Sequence, residues 1–67
     1  MLAEDSEGNV YIAAGQIFVF DPAAKLIGTI DVPERPSQLL FGDADRKTLF
    51  IAARSSLYAV QLRYAGR

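Results

Sequence analysis

The side chains of this sequence that could carry out chemistry are hydroxyls and carboxylates with no histidine to assist them. Serine catalysis needs a general base beside the nucleophile, so the serines are interpreted as turn residues. They are Ser6, Ser37, Ser55 and Ser56. Cysteine is absent as well, which excludes disulfides and thiolate metal sites.

Two groups of carboxylates have a spacing that could suit acid–base or metal chemistry. Asp43 and Asp45 could exchange protons or share a metal, but they lie in a polar stretch typical of a solvated turn. Residues 5–9 begin like a calcium loop, yet they lack the remaining ligand positions of an EF-hand. Gly8 can adopt the positive φ of a tight turn, so this stretch is also predicted to be a turn. Asp21 precedes a proline and is interpreted in the same way.

The elements that would position these side chains come from an internal repeat. Val-Tyr-Ile-Ala-Ala at residues 10–14 recurs as Leu-Phe-Ile-Ala-Ala at residues 49–53, an offset of 39. Ile-Phe-Val-Phe at residues 17–20 recurs as Leu-Tyr-Ala-Val at residues 57–60, an offset of 40. A period of about 40 residues made of short strands is the spacing of β-propeller blades.

The predicted fold is all-β, with antiparallel strands forming about one and a half propeller blades. Residues 1–32 form a first partial blade of three strands, residues 33–37 a crossing loop, and residues 38–67 a second partial blade of three strands. With blade strands labelled a to d outward from the axis, the first unit holds b, c and d, and the second holds a, b and c. We expect self-association to complete these sheets. Residues 1–4 are predicted to be a lead-in, and residues 63–67 a frayed tail.

The same repeat places several loops on one rim of the propeller. The hairpin at Gly15, the loop at Arg54 and the crossing near Ser37 should all open on that rim. Six residues are therefore candidates for lining the mouth of a substrate channel: Gly15, Gln16, Ser37, Gln38, Arg54 and Ser55. The alternative for Arg54 is an ordinary exposed cation.

Composition argues against several classes of function. Seven basic and eight acidic residues give a net charge of −1, whereas a nucleic-acid-binding surface shows a basic stripe. No apolar run is long enough to cross a membrane as a helix, and the first residues lack the basic and apolar regions of a signal peptide. We expect neither nucleic acid nor membrane as a partner, and the compartment stays open.

A series of motifs follows the order of a known family. Glu-Gly-Asn-Val-Tyr-Ile-Ala at residues 7–13 precedes Val-Phe-Asp-Pro at 19–22 and Lys-Leu-Ile-Gly-Thr-Ile at 25–30. Pro-Ser-Gln-Leu-Leu-Phe-Gly at residues 36–42 and Lys-Thr-Leu-Phe-Ile-Ala at 47–52 look like the family's C-terminal end. The resemblance is to the SMP-30/gluconolactonase/LRE-like family, and it covers almost the whole chain.

The resemblance implies a six-bladed propeller that hydrolyses lactones, with a divalent metal, usually calcium, in its axial channel. It also implies that this chain is the last third of such a protein. The family's metal ligands are one Glu, two Asn and one Asp, and none of their motifs matches a position here. No catalytic residue, metal ligand or cofactor is therefore carried over to this chain. Gln38 stands where relatives commonly have Asn, and Asp43 where a second Gly is usual.

Two functional hypotheses follow from these patterns. In the first, the chain is a C-terminal fragment of a calcium-dependent gluconolactonase-type lactone hydrolase, inactive on its own, and its partner is the missing N-terminal part. In the second, the chain is a self-assembling β-sheet module with a structural or interaction role. Its partner is then another copy, bound through open strand edges.

Overall fold

The computed structural model describes residues 1–67 and contains seven β-strands and no helix. The strands are β1 (Leu2–Glu4), β2 (Val10–Ala14), β3 (Gln16–Phe20), β4 (Leu26–Ile30), β5 (Pro36–Gly42), β6 (Thr48–Ala53) and β7 (Leu57–Gln61). They form two antiparallel sheets: sheet 1 in the order β1-β2-β3-β4, and sheet 2 in the order β5-β6-β7. The predicted all-β, antiparallel fold is confirmed.

Sheet 1 has one strand more than the sequence pattern predicts. Strand β1 pairs with β2 in the register Leu2↔Ile12 and Glu4↔Val10, where only a lead-in is predicted. Three residues are too few to show the alternation of apolar and polar side chains that identifies a strand. Sheet 1 therefore has strands at all four positions of a blade, while sheet 2 has the three predicted strands.

The connection between the sheets is as long as the predicted crossing loop, five residues, but it begins and ends two residues earlier. Strand β5 already begins at Pro36, and its register with β6 shifts between Pro36 and Gln38. Proline has no N–H to give to the ladder, so within sheets it is confined to places such as the first residue of a strand or an edge strand, and Pro36 is both. The linking segment is thus residues 31–35, and the division of the chain at residues 33–37 stays a prediction.

The hydrophobic core lies between the two sheets. Successive side chains of a strand point to opposite faces, so each sheet covers one face with the other sheet and leaves its second face free. Seven buried apolar residues form this core: Tyr11, Ile17, Val19, Leu39, Phe41, Leu49 and Ile51. The rings of Tyr11 and Phe41 meet edge to face, with centroids 5.5 Å apart.

The C-terminal tail is docked rather than frayed. Its Gly66 is buried and forms a bridge with Asp5. The Gly66 N–H also donates to the carbonyl of Arg46 at 2.7 Å. A Cβ at Gly66 would overlap the Phe41 ring, so only glycine fits there. The prediction of a frayed tail is wrong because this close backbone contact holds it between the turns of both sheets.

Candidate functional site

The predicted rim residues all lie at or beside one end of the two sheets, which we call the upper end. Antiparallel pairing sends the β2–β3, β4–β5 and β6–β7 connections to this end. The opposite, lower end carries the turns at residues 5–9, 21–25 and 43–47 together with the tail.

Two of the six candidates form the β2–β3 hairpin. Gly15 is exposed and has φ +81°, a conformation that glycine adopts without the strain of a Cβ. Gln16 is the first residue of β3 and pairs with Ala14 across the turn. Only one residue therefore lies between the two strands, and the Gln16 side chain is partly exposed at the upper end.

The other four candidates lie on sheet 2. The Ser37 hydroxyl donates to the carbonyl of Ala52 at 3.1 Å, and Gln38 is exposed beside it on β5. Arg54 and Ser55 are exposed in the β6–β7 loop. The role of these residues in lining a channel stays a prediction.

A carboxylate that sequence reasoning missed organises the upper end. Glu34 Oε1 accepts hydrogen bonds from the Ser55 amide and hydroxyl, both at 2.9 Å. Its Oε2 accepts from the Ser56 hydroxyl at 2.6 Å and from the Tyr58 hydroxyl at 3.0 Å. These bonds lower the pKa of Glu34 to about 2, and the bond from Ser56 contributes most to that shift. Glu34 thereby ties the linking segment to the β6–β7 loop.

No local signal in the sequence identifies Glu34. It lies between two prolines, and its hydroxyl partners follow 21 to 24 residues later. The only signal that could have pointed to it is the pair of adjacent serines, Ser55 and Ser56, in the β6–β7 loop. Serine hydroxyls in a loop often hydrogen-bond to a neighbouring group and so hold the loop in one conformation.

The lower end holds a second carboxylate in a very different setting. Asp5 is 0% exposed and accepts four hydrogen bonds of 2.9 to 3.0 Å. The donors are the Glu7 amide, the Asn9 amide, the Asn9 side chain and the Tyr11 hydroxyl. We call Asp5 with these partners the Asp5 anchor.

Electrostatics in the Asp5 anchor follow from burial and hydrogen bonding. Burial alone would raise the pKa of Asp5, but the donors from Asn9, Tyr11 and Glu7 outweigh it and hold that pKa below its ordinary value. For Tyr11, burial and the neighbouring Asp5 carboxylate both raise the pKa well above its ordinary value. The anchor therefore keeps an ionised carboxylate and a neutral phenol at physiological pH.

The remaining turn carboxylates do not converge on a common point. The Asp43 carboxylate accepts from the Thr48 hydroxyl at 2.6 Å, while Asp45 accepts from the Lys47 amide at 3.0 Å. Asp21 accepts from two amides of its own turn. All three lie in turns, as their sequence context predicts.

A calcium ion requires about six to eight oxygen ligands at one point. No three His, Cys, Asp or Glu residues of the chain lie in a group that could hold a metal ion. The two carboxylates that accept the most hydrogen bonds are Asp5 and Glu34, and each already accepts four from N–H or O–H donors. The side chains of this chain alone therefore do not fit a calcium ion.

Two packed antiparallel sheets with a repeat of about 40 residues define the class of protein, a pair of neighbouring β-propeller blades. The family model described as SMP-30/Gluconolactonase/LRE-like region matches residues 2–55. That match spans more than half of the sequence, and the chain belongs to this family. No curated protein matches it. No helix of the structure has the length and apolarity to span a lipid bilayer.

Proposed function

We propose that this chain is the C-terminal part of a calcium-dependent lactone hydrolase of the gluconolactonase type and that it is inactive on its own. The observation that carries the proposal is the family match over residues 2–55. In a propeller each blade packs against the next around a central channel, so these two sheets would form two neighbouring blades of the lactonase ring.

The absence of a fitting cation site within the chain supports the second half of the proposal. Asp5 and Glu34 each accept four donors of the chain itself, and the other turn carboxylates do not converge on a common point. In this proposal the calcium ligands of the parent come from other blades. The proposed contribution of this chain is then the wall of the substrate channel at the upper end. Six residues supply it: Gly15, Gln16, Ser37, Gln38, Arg54 and Ser55.

The proposal is tested by adding glucono-δ-lactone to the purified chain with and without calcium and following acid release in a pH-stat. We expect the uncatalysed rate in both cases and no heat of calcium binding by calorimetry. Hydrolysis above the blank that depends on calcium would refute the claim of inactivity.

The fragment relationship has its own test in the messenger RNA of the source. We expect the reading frame to continue upstream of Met1 and to encode further propeller blades. An in-frame stop codon directly upstream would show that the chain is made as it stands. In a longer parent, Arg54→Ala should raise KM for lactones, whereas the control Lys25→Ala at the lower end should not.

A second candidate function is that of a self-assembling β-sheet module. Strands β4 and β7 each pair with only one neighbour, and the edge strand β4 leaves Leu26 and Ile27 about half exposed. Open edges present unpaired N–H and C=O groups to another chain. A well-folded monomer in sedimentation at high concentration would count heavily against this candidate.

A further inference from the structure

Both sheets leave an apolar face uncovered. On sheet 1, Leu2 lies opposite Ile12, Ile12 opposite Phe18, and Val10 opposite Phe20. The free face of sheet 1 consists of Leu2, Val10, Ile12, Phe18, Phe20 and Leu26. The free face of sheet 2 consists of Leu40, Phe50, Ala52, Leu57 and Ala59. Leu2, Leu40 and Leu57 are 61%, 68% and 69% exposed.

The internal repeat shows that the free face of sheet 2 is equivalent to the covered face of sheet 1. Phe50 occupies the place of Tyr11, and Leu57 the place of Ile17, by the offsets of 39 and 40 residues. Leu40 lies opposite Phe50 just as Ala3 lies opposite Tyr11. Tyr11 and Ile17 are buried against the second sheet, whereas Leu40 and Leu57 face solvent.

The converse equivalence holds for the other two faces. Leu49 and Ile51, both fully buried on the covered face of sheet 2, are the repeat counterparts of Val10 and Ile12 on the free face of sheet 1. Leu39 lies opposite Ile51 as Leu2 lies opposite Ile12. The chain thus contains one interface between blades and the two unmatched halves of a second interface of the same kind.

We propose that the two free faces bind each other between copies of this chain, head to tail, and so close a ring. An interface between two different patches closes into a ring when its rotation permits. Propellers have about four to eight blades, so two blades per chain give two, three or four copies. This inference rests on the second candidate function, self-association, and assigns it to the sheet faces rather than the strand edges.

Side-chain chemistry at the free faces agrees with a second copy as the occupant. Phe50 lacks the hydroxyl of Tyr11, and it therefore needs no buried acceptor such as Asp5 when it is covered. The Phe41 position of the internal interface corresponds to Glu4, which lies opposite Val10 as Phe41 lies opposite Leu49. The Glu4 carboxylate pairs with Arg67 at 2.7 Å, so its charge is compensated within the chain.

The test uses sedimentation velocity and native mass spectrometry on two complementary variants. Leu40→Glu blocks the free face of sheet 2, and Leu2→Glu blocks that of sheet 1. Both leucines are about two-thirds exposed, so the isolated fold should tolerate the change, as circular dichroism would verify. We expect the unmodified chain to form a closed species of two to four copies and each variant to be monomeric.

An equimolar mixture of the two variants separates head-to-tail binding from any other mode. Each variant keeps one intact face, and the two intact faces match, so we expect a heterodimer and nothing larger. The closed ring would be overturned if either variant still self-associated alone. It would also be overturned if the unmodified chain formed open-ended assemblies of ever more copies.

The edge variant Ile27→Lys serves as the matched control, since a charge on an edge strand blocks strand addition. We expect it to leave the assembly unchanged. If it alone dissolves the assembly, the face interface is wrong while self-association stands. A monomeric unmodified chain would overturn both, and would leave the remaining blades of a longer parent as the occupant of these faces.

Discussion

The turns before the two central strands β2 and β6 occupy equivalent places in the repeat but have opposite environments. In the first, Asp5 is fully buried and accepts four hydrogen bonds. In the second, Asp43 is exposed and its carboxylate accepts one, from Thr48. An aspartate close to the start of the turn thus stabilises the fold in one blade, and one that lies a residue further along the repeat is largely solvated in the other.

The difference comes from what covers each turn. The Ser6 amide donates to the Ala65 carbonyl at 2.7 Å, so the tail shields the Asp5 anchor from water. The second turn is hydrogen-bonded to the same tail through Arg46, whose backbone and side chain bond to Gly66 and whose guanidinium also donates to the Arg67 carbonyl. Tyr11 supplies a phenol donor to Asp5, whereas its counterpart Phe50 has none. Burial by the distant tail, together with the local donors Asn9 and Tyr11, decides the role of the aspartate.

The largest expected effect is the loss of the Asp5 carboxylate. Asp5→Ala leaves the Asn9 amide group and the Tyr11 hydroxyl without an acceptor in a buried place. Each unsatisfied buried donor costs about 1–3 kcal/mol, so we expect the free energy of unfolding to fall by about 3–5 kcal/mol in urea denaturation. The matched variant Asp43→Ala should change it by less than about 1 kcal/mol. Equal losses in the two variants would contradict the proposed difference between the turns.

Gly66→Ala tests whether the tail is what distinguishes the turns. The added Cβ would overlap Phe41, so the tail must leave its position, at a cost of about 1–3 kcal/mol. We expect faster hydrogen exchange at the Ser6 amide together with this loss. The control Gly28→Ala has no atom within 4 Å of its new Cβ and should stabilise the strand by about 0.5–1 kcal/mol. Unchanged exchange at Ser6 would show that the tail does not protect the first turn.

Tyr11→Phe removes the phenol oxygen, the one atom by which Tyr11 differs from its repeat counterpart Phe50. Removing the phenol donor should cost about 1 kcal/mol, because Asp5 keeps its other three donors. The reverse change, Phe50→Tyr, should be close to neutral, since Asp43 is exposed and already bonded to Thr48. Thermal unfolding of the two variants measures both values, and a neutral Tyr11→Phe would rule out an energetic role for the phenol.

The smallest effect expected is on pH dependence. The folded-state pKa of Asp5 lies below its ordinary value of 3.8, so its stabilisation is present above that pH and is lost as the pH falls through the lower, folded value. The free energy of unfolding should therefore decrease below about pH 4, and less steeply in Tyr11→Phe. Glu34, whose pKa is about 2, also lowers the free energy of unfolding as the pH falls. The variant Glu34→Gln measures how much of the pH dependence comes from Glu34. A steeper slope in Tyr11→Phe would contradict this assignment.

The sequence predicts most of the strands because the repeat and the two-residue alternation are local signals. The pairs β2–β3 and β6–β7 are predicted to be hairpins at Gly15 and at the Arg54 loop, and both are observed. Strand β1 is missed because three residues carry no pattern. The residues of the Asp5 anchor are predicted to be a turn, but its burial depends on Gly66, 61 positions away.

The candidate site is less accessible to sequence reasoning. The common location of Gly15, Ser37 and Arg54 at or beside the upper end follows from the repeat and agrees with the strand pairing. The role of Glu34 is not predicted from the sequence, because its hydrogen-bond donors lie 21 to 24 residues away and only the fold brings them close. The channel role of these residues stays a prediction, because no pattern within the chain reports on the surface that would lie opposite them.

The bridge between Asp5 and Gly66 also has a kinetic meaning. The hairpins join residues close in sequence, whereas this contact closes nearly the whole chain, and long loops close at a greater entropic cost. It should therefore form after the rate-limiting step of folding. Weakening it, as in Gly66→Ala, should accelerate unfolding and leave the folding rate almost unchanged. The tail contact then determines the lifetime of the folded state, through the unfolding rate, and has little effect on the folding rate.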